Sequence, residues 1–241
     1  MTHLLNDSWL ERSSTVANCR MNRERGCRGG NSYVKELSFD PIEFLEERLR
    51  SRGPIAWLDI GCGAGTALIE AAGHLGSLGF GSRISIVGID LVNMFAGHGD
   101  LAGLELVECS AVHWRPDREY DLITSVHGLH YIGDKLALLQ RAASWLTRDG
   151  VFIANLDPSN LRLEDRRSAV RTIISNLRKH GFIFNSRKRL IRLNGKKAIE
   201  LPYSYLGGDD KAGPNRTGQP AVTSYYSRHK DPRVPYIDAI V

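Results

Sequence analysis

The chain has 241 residues, of which 42% are hydrophobic and 24% charged, with a formal net charge of +5. That length carries one sizeable α/β domain with its own core, and the composition is that of an ordinary soluble globular protein. No apolar run approaches the ~18 residues of a membrane span, the first residues lack the pattern of a secretory signal, and Cys19, Cys27, Cys62 and Cys109 show no paired CxxC spacing, so a reduced, cytoplasmic protein without a metal site is expected.

The elements follow in chain order. The stretch from Ser14 to Pro41 is polar, arginine-rich and punctuated by glycine, and reads as loops with a short helix. A helix then begins at Pro41: Asp40 caps it, proline suits the first turn, and Ile42, Leu45 and Leu49 recur on one face. AWLDI, ending at Ile60, is a buried strand. It runs into Gly61, Gly63 and Gly65, and a helix follows from Thr66 to about Leu75. RISIVGID, LELVEC and YDLITSV supply the second, third and fourth strands, and DKLALLQRAASWL the next helix. Asp149-Gly150 is a turn into VFIANLD, the fifth strand. RRSAVRTIISNLRKHG is a helix that Gly181 stops. Asn194-Gly195, between FIFNSRKRLIRL and KKAIELPYSYL, predicts a hairpin with a type I′ turn. Five strands joined by crossovers plus this hairpin give an α/β fold. Its doubly wound, mostly parallel, seven-stranded sheet carries an antiparallel hairpin at the C-terminal edge.

The three glycines place bare backbone beside a ligand, at the carboxyl end of a first parallel strand. The pattern here is D-x-G-x-G-x-G, not the G-x-G-x-x-G of a nicotinamide or flavin site. A carboxylate at that strand end, Asp59, repels a pyrophosphate and suits a cationic or amine-bearing ligand, which favours S-adenosylmethionine.

Over roughly residues 39 to 206 the chain resembles the class I S-adenosylmethionine-dependent methyltransferases. LDIGCGAG resembles that family's first motif. VGIDLV puts Asp90 at the end of the second strand, thirty-one residues after Asp59, where the family's acidic residue accepts the ribose hydroxyls. The other reading of Asp90 is a cap or turn residue. VECSAVHW matches the segment beside the adenine, usually Gly-Asp-Ala. In Cys109-Ser110-Ala111 a serine replaces the carboxylate, leaving the Ser110 hydroxyl or the Ala111 N–H to meet the base. YDLITSVHGLHYI matches the segment facing the methyl group. The resemblance therefore implies a Rossmann-like fold and S-adenosylmethionine as cofactor. Asp59, Gly61, Cys62, Gly63, Gly65, Asp90, Leu91, Ser110, Ala111, Ser125 and Val126 would form the cofactor site, joined by Tyr33 and Arg23 from an N-terminal lid that also offers Arg20 and Asn31.

Methyl transfer is a direct displacement, in which positioning carries much of the rate. If the acceptor is a hydroxyl or a protonated amine, His127 or His130 can serve as its base; the alternative is that either only donates a hydrogen bond or packs against the cofactor. Tyr131, Tyr203 and Tyr205 are candidate substrate contacts. Trp114 either borders the base or packs in the core, and Trp57 and Trp145 are core. The chain divides into an N-terminal arm or lid (1–38), the cofactor-binding domain (39–206) and a loop-rich extension of that domain (207–241).

Charge is uneven: the net is +10 from Pro158 onward, −6 from Trp57 to Asp157 and +1 before that. The basic third suits a carboxylate- or phosphate-bearing acceptor, or is a solvated face. The expected partner is a small polar metabolite, anionic or neutral, methylated on O or N, with no membrane contact. The alternatives are RNA or protein methylation with SRKRLIRLNGKK as docking surface, and a non-catalytic S-adenosylmethionine-binding protein.

Overall fold

The computed structural model describes residues 4–17, 24–164 and 169–229. Its framework is a seven-stranded sheet in the order β3-β2-β1-β4-β5-β8-β7. The strands are β1 (Ile55–Ile60), β2 (Ile84–Asp90), β3 (Leu104–Glu108), β4 (Tyr120–Ser125), β5 (Leu146–Asn155), β7 (Ile183–Asn185) and β8 (Leu190–Asn194). The first five are parallel, and β8 is antiparallel to both β5 and β7.

Both faces of this sheet are covered, and the strand sequences show why. In β1 all six residues are buried. Trp57 packs with α3 (Pro41–Ser51) and α4 (Thr66–Ser77), while Ala56, Leu58 and Ile60 belong to the opposite core with α5 (Lys135–Trp145) and α6 (Ala169–Lys179). A strand buried on both sides must be apolar at nearly every position. The Asp40 carboxylate accepts from Ile42 N–H at 3.0 Å and Glu43 N–H at 3.2 Å, the cap expected for α3. Trp57 and Trp145 are buried core residues.

Three expectations are corrected. The hairpin does not turn at Asn194-Gly195; it turns between β7 and β8, where Asn185 Oδ1 accepts from Arg187 and Lys188 N–H. Asn194-Gly195 ends β8 instead. The chain then runs on in the same antiparallel direction towards the start of β5, with Gly195 N–H bonded to Gly150 O and Lys196 N–H to Thr147 O. Asp149-Gly150 lies within an irregular stretch of β5 and not before it: Tyr120 pairs with Leu146, but Leu122 pairs with Val151. The C-terminal segment is also more regular than a loop-rich extension. β9 (Tyr203–Asp209) runs through residue 206, and with β10 (Thr223–Arg228) and β6 (Leu161–Leu163) it forms a second sheet, ordered β6-β10-β9.

The N-terminal arm closes over this framework. Asn6 caps the short helix α1 (Asp7–Leu10), and Leu5 and Gly208 exchange two backbone hydrogen bonds of 2.8 Å. Leu10 and Val16 are buried with Val222, against Leu91 and Tyr131. A second helix, α2 (Tyr33–Leu37), is capped by Ser32. Among the described residues no helix is long and apolar enough to cross a membrane.

Candidate active site

The carboxyl ends of β4, β1, β2 and β3 form one wall of a cleft, and the N-terminal arm forms the other. It encloses about 1040 Å³, the open solvent at its mouth included.

The glycine loop turns from β1 into α4 with Gly61, Gly63 and Gly65 all at positive φ, between 62° and 76°. This is the left-handed region that side chains resist. Two of the three have packing reasons inside the protein. A Cβ on Gly61 would stand 2.9 Å from Gly128 Cα, and one on Gly65 would stand 2.7 Å from Leu106 Cδ1. Gly61, Cys62 and Gly63 line the cleft, whereas Gly65 does not.

Asp90 holds the loop. One carboxylate oxygen accepts from Gly63 N–H at 2.9 Å and the other from Val92 N–H at 3.1 Å. Asp90 and Leu91 line the cleft. Asp59 behaves differently: it is fully buried and is not part of the lining. Tyr33 Oη donates to its Oδ2 at 2.6 Å, Thr124 Oγ1 donates to Oδ1, and Trp57 Nε1 donates to Thr124 at 2.8 Å. Burial pushes the Asp59 carboxyl up to about 7 against the pull of the Thr124 and Tyr33 donors. Tyr33 itself lines the cleft.

At the end of β4, Val126 and His127 line the cleft and Ser125 does not. Ser125 is buried, and its hydroxyl donates to Ile60 O at 2.7 Å, tying β4 to β1. His127 adopts φ +62°, a left-handed conformation uncommon outside glycine. Its N–H donates to Asn155 Oδ1, and its Nε2 lies 3.1 Å from Glu36 Oε2. That contact with His127 holds the Glu36 carboxyl below its ordinary range. His127 Nδ1 is buried with no hydrogen-bond partner. His130 sits 5.3 Å behind the His127 ring, only 4% exposed and away from the cleft. Burial, then the neighbouring His127, lowers it to about 3.

Beyond β3, Cys109 and Ala111 line the cleft. Ser110 does not; its hydroxyl donates to Glu11 Oε1 and accepts from Val112 N–H at 3.1 Å. Of the candidate substrate contacts, Tyr131 lines the cleft. Tyr203 instead meets Asn176 through its hydroxyl, and Tyr205 is packed on Tyr226. Trp114 is packed against the core. Arg20 and Arg23 lie outside the described residues.

The residues that pattern reading missed arrive from other elements: Asp7, Leu10, Glu11 and Val16 from the N-terminal arm, Arg25 before α2, and Gln219 before β10. Only Arg25 carried a signal, as one of a run of arginines in a segment expected to act as a lid. Among the described residues no cluster of His, Cys, Asp and Glu could hold a metal ion.

Residues 31–193 match the family described as methyltransferase domain. No curated protein matches the sequence. Among solved structures, the plantazolicin methyltransferase BpumL in complex with a monoazolic desmethylPZN analog and SAH is 15% identical, over 65% of this chain and 53% of its own, with a TM-score of 0.42. Coclaurine N-methyltransferase bound to N-methylheliamine and SAH is 13% identical, over 64% and 45%, at 0.39. The N-methyltransferase NodS from Bradyrhizobium japonicum WM9 in complex with S-adenosyl-l-homocysteine is 17% identical, over 75% and 100%, at 0.39. The chain thus spans about half the length of the first two.

Proposed function

The chain belongs to the methyltransferase-domain family, and from that premise we propose that it methylates an oxygen or nitrogen of a small polar, anionic acceptor, with S-adenosylmethionine as donor. The observation that carries this is the cleft itself. A glycine loop, the Asp90 carboxylate and a roof from the N-terminal arm enclose one polar and apolar site at the strand ends.

The residues present fit that cofactor. The Asp90 carboxylate, an acceptor in the cleft wall at the end of β2, suits the hydroxyls of a ribose. Asp7, Glu11 and Asp90 give the cleft three carboxylates, which favour a ligand carrying positive charge. Leu91, Val112 and Ile132 supply apolar walls for a base. When bound, the cofactor supplies a methyl group made electrophilic by its sulfonium.

The chain's own contribution is position and dryness. Leu10 and Val16 close the roof over the cleft, which excludes water and holds the reacting atoms in line. Arg25 and Gln219 bring donor groups to the cleft for an anionic acceptor. Base catalysis by histidine has less support. His130 is buried away from the cleft, and in His127 one nitrogen faces Glu36 while the other is covered. The reading therefore favours an acceptor that is already nucleophilic, such as a carboxylate.

The small acceptor also accords with the placement of the basic segment from Ser186 to Lys197. It lies at the β7 edge of the sheet, and none of its residues lines the cleft. The test is titration calorimetry with S-adenosylhomocysteine, followed by methyl transfer from labelled donor to a panel of small carboxylates, amines and phenols. Transfer to RNA or protein that falls steeply with salt would overturn the small-acceptor reading. Binding without transfer to any of these would leave a cofactor-binding protein in its place.

A further inference from the structure

We propose that Glu11, held by Ser110, is the residue that reads the exocyclic amine of the cofactor's base and so sets its selectivity for adenine. This rests on the cofactor reading above and assigns a role to a residue from outside the sheet.

The cleft has a direction, fixed by the strand order β3-β2-β1-β4. At the β4 end stand His127 and Glu36, with Arg25 Nε 3.9 Å from Glu36. In the middle, at β2, stands Asp90. At the β3 end Glu11 comes down from the roof onto the Cys109–Val112 loop. An elongated nucleoside with an amino-acid tail fits this sequence of charges in one orientation. Its carboxylate points towards Arg25, its ribose diol meets Asp90, and its base reaches the β3 end.

What the base meets there is an acceptor. An ionised carboxylate has no hydrogen to give. The Ser110 hydroxyl spends its single hydrogen on Glu11 Oε1 while its own oxygen accepts from Val112 N–H. That leaves Oε2 and the remaining lone pair of Oε1 as acceptors on a residue that lines the cleft. A 6-amino purine can donate to them. A 6-keto purine turns an oxygen towards them, which leaves both partners without a hydrogen bond and sets two acceptors face to face.

Glu11 is also held firmly enough to discriminate. Its N–H donates to Asp7 O at 2.9 Å, its neighbour Leu10 is 1% exposed, and the arm is pinned to β9 through Leu5 and Gly208. Ser110 stands where the resembled family usually has its own carboxylate. Here the serine hydroxyl instead fastens a carboxylate delivered from roughly one hundred residues earlier in the chain, a separation of 99.

The test is titration calorimetry of the full chain with two probes, S-adenosylhomocysteine and S-inosylhomocysteine, on the wild type, Glu11→Gln, Glu11→Ala and Ser110→Ala. The wild type should prefer the adenosyl probe by about 10- to 100-fold, the range of one hydrogen bond to a charged group. Glu11→Ala should bring the two probes to within a few-fold of each other, by weakening the adenosyl probe and leaving the inosyl probe as tight as before or tighter. Glu11→Gln, whose amide can donate to a keto oxygen, should narrow or reverse the preference, which a purely structural roof would not do. Ser110→Ala should lose part of the discrimination. Equal weakening of both probes by Glu11→Ala, or a wild type that binds both equally, overturns the proposal while the cofactor reading stands. A wild type that binds neither overturns both. Should Glu11→Ala fail to fold by circular dichroism, the wild-type preference and the glutamine variant still decide.

Discussion

Gly61 and Gly128 press backbone against backbone at the base of the cleft: a Cβ on Gly61 would stand 2.9 Å from the Cα of Gly128. The glycine loop is therefore shaped first by its neighbour after β4, and the ligand space follows from that contact.

Gly128→Ala should destabilise the fold even with no ligand present. The added methyl would lie 2.6 Å from Ser125 Oγ and closer still to the Ile60 carbonyl oxygen, an overpacking of backbone that costs about 1–3 kcal/mol. Gly73, inside α4, is the control, because nothing lies within 4 Å of its added Cβ. Gly73→Ala should stabilise by about 0.5–1 kcal/mol. Urea unfolding of the two variants at one pH checks the opposite signs; a Gly128→Ala midpoint at or above that of the wild type refutes the steric account.

Asp59 should make stability fall as pH rises. Its folded-state value, pushed up to about 7 by burial, lies above the ordinary 3.8. Between those values the folded state holds a proton that the unfolded state has released. The proton's contribution is complete below pH ~4 and is lost as pH rises through ~7, with a slope of at most about 1.4 kcal/mol per pH unit. Asp59→Asn removes the titration and still accepts from Tyr33. The stability of Asp59→Asn relative to the wild type should grow from pH 4 to 7 and then level. Parallel stability curves for the two proteins over that range would contradict it.

The contrast between Asp59 and Asp90 shows how far the sequence could be read. Strand and helix alternation, the caps at Asp40 and Gly181, and the antiparallel edge all follow from local patterns: burial on two faces, backbone geometry and side-chain capping. The same patterns found the glycine loop and the acidic end of β2. They did not separate a carboxylate sealed by Tyr33, Thr124 and burial from one that reaches the cleft, because that depends on which residues arrive from α2 and β4. They placed a hairpin at Asn194-Gly195 because that dipeptide favours a tight turn. In the fold it is overridden by the bonds from Gly195 and Lys196 to Gly150 and Thr147. The roof was the least legible part, since Asp7, Glu11 and Leu10 lie far from any motif and gain their meaning only through contacts with β9 and the Ser110 loop.

Asp90→Ala tests the cofactor site directly. Removing the carboxylate takes away both the acceptor proposed for the ribose and the anchor for Gly63 N–H. Affinity for S-adenosylhomocysteine should fall by about 1.5–3 kcal/mol for each charged hydrogen bond lost, while circular dichroism stays native. Unchanged affinity in calorimetry would refute the assignment of Asp90 to the ribose.

The histidines separate positioning from proton transfer. His130 is buried and lowered to about 3 by its surroundings, so it is neutral throughout the working range. His130→Asn should lower stability far more than it alters turnover per folded molecule. His127 lines the cleft, is braced by Glu36, and carries a strained φ of +62°. Glycine relieves that strain at a cost to side-chain contacts, so His127→Gly should change stability by no more than ~1–2 kcal/mol. If His127 orients the acceptor, His127→Gly should slow transfer at saturating cofactor. The pH profile of kcat should keep its shape in this variant, because no proton is lost from the mechanism. If it acts as base, the same variant should change the shape of that profile and cost about two to four powers of ten in turnover. Cofactor affinity should hold in either case, since the contacts proposed for the cofactor lie at Asp90 and the glycine loop. Glu36→Gln sharpens the distinction. A brace that only fixes the ring tolerates the amide within a few-fold, whereas a carboxylate supporting an imidazolium does not. A large loss in Glu36→Gln together with a shifted pH profile would restore base catalysis and argue for a hydroxyl or protonated amine as the acceptor.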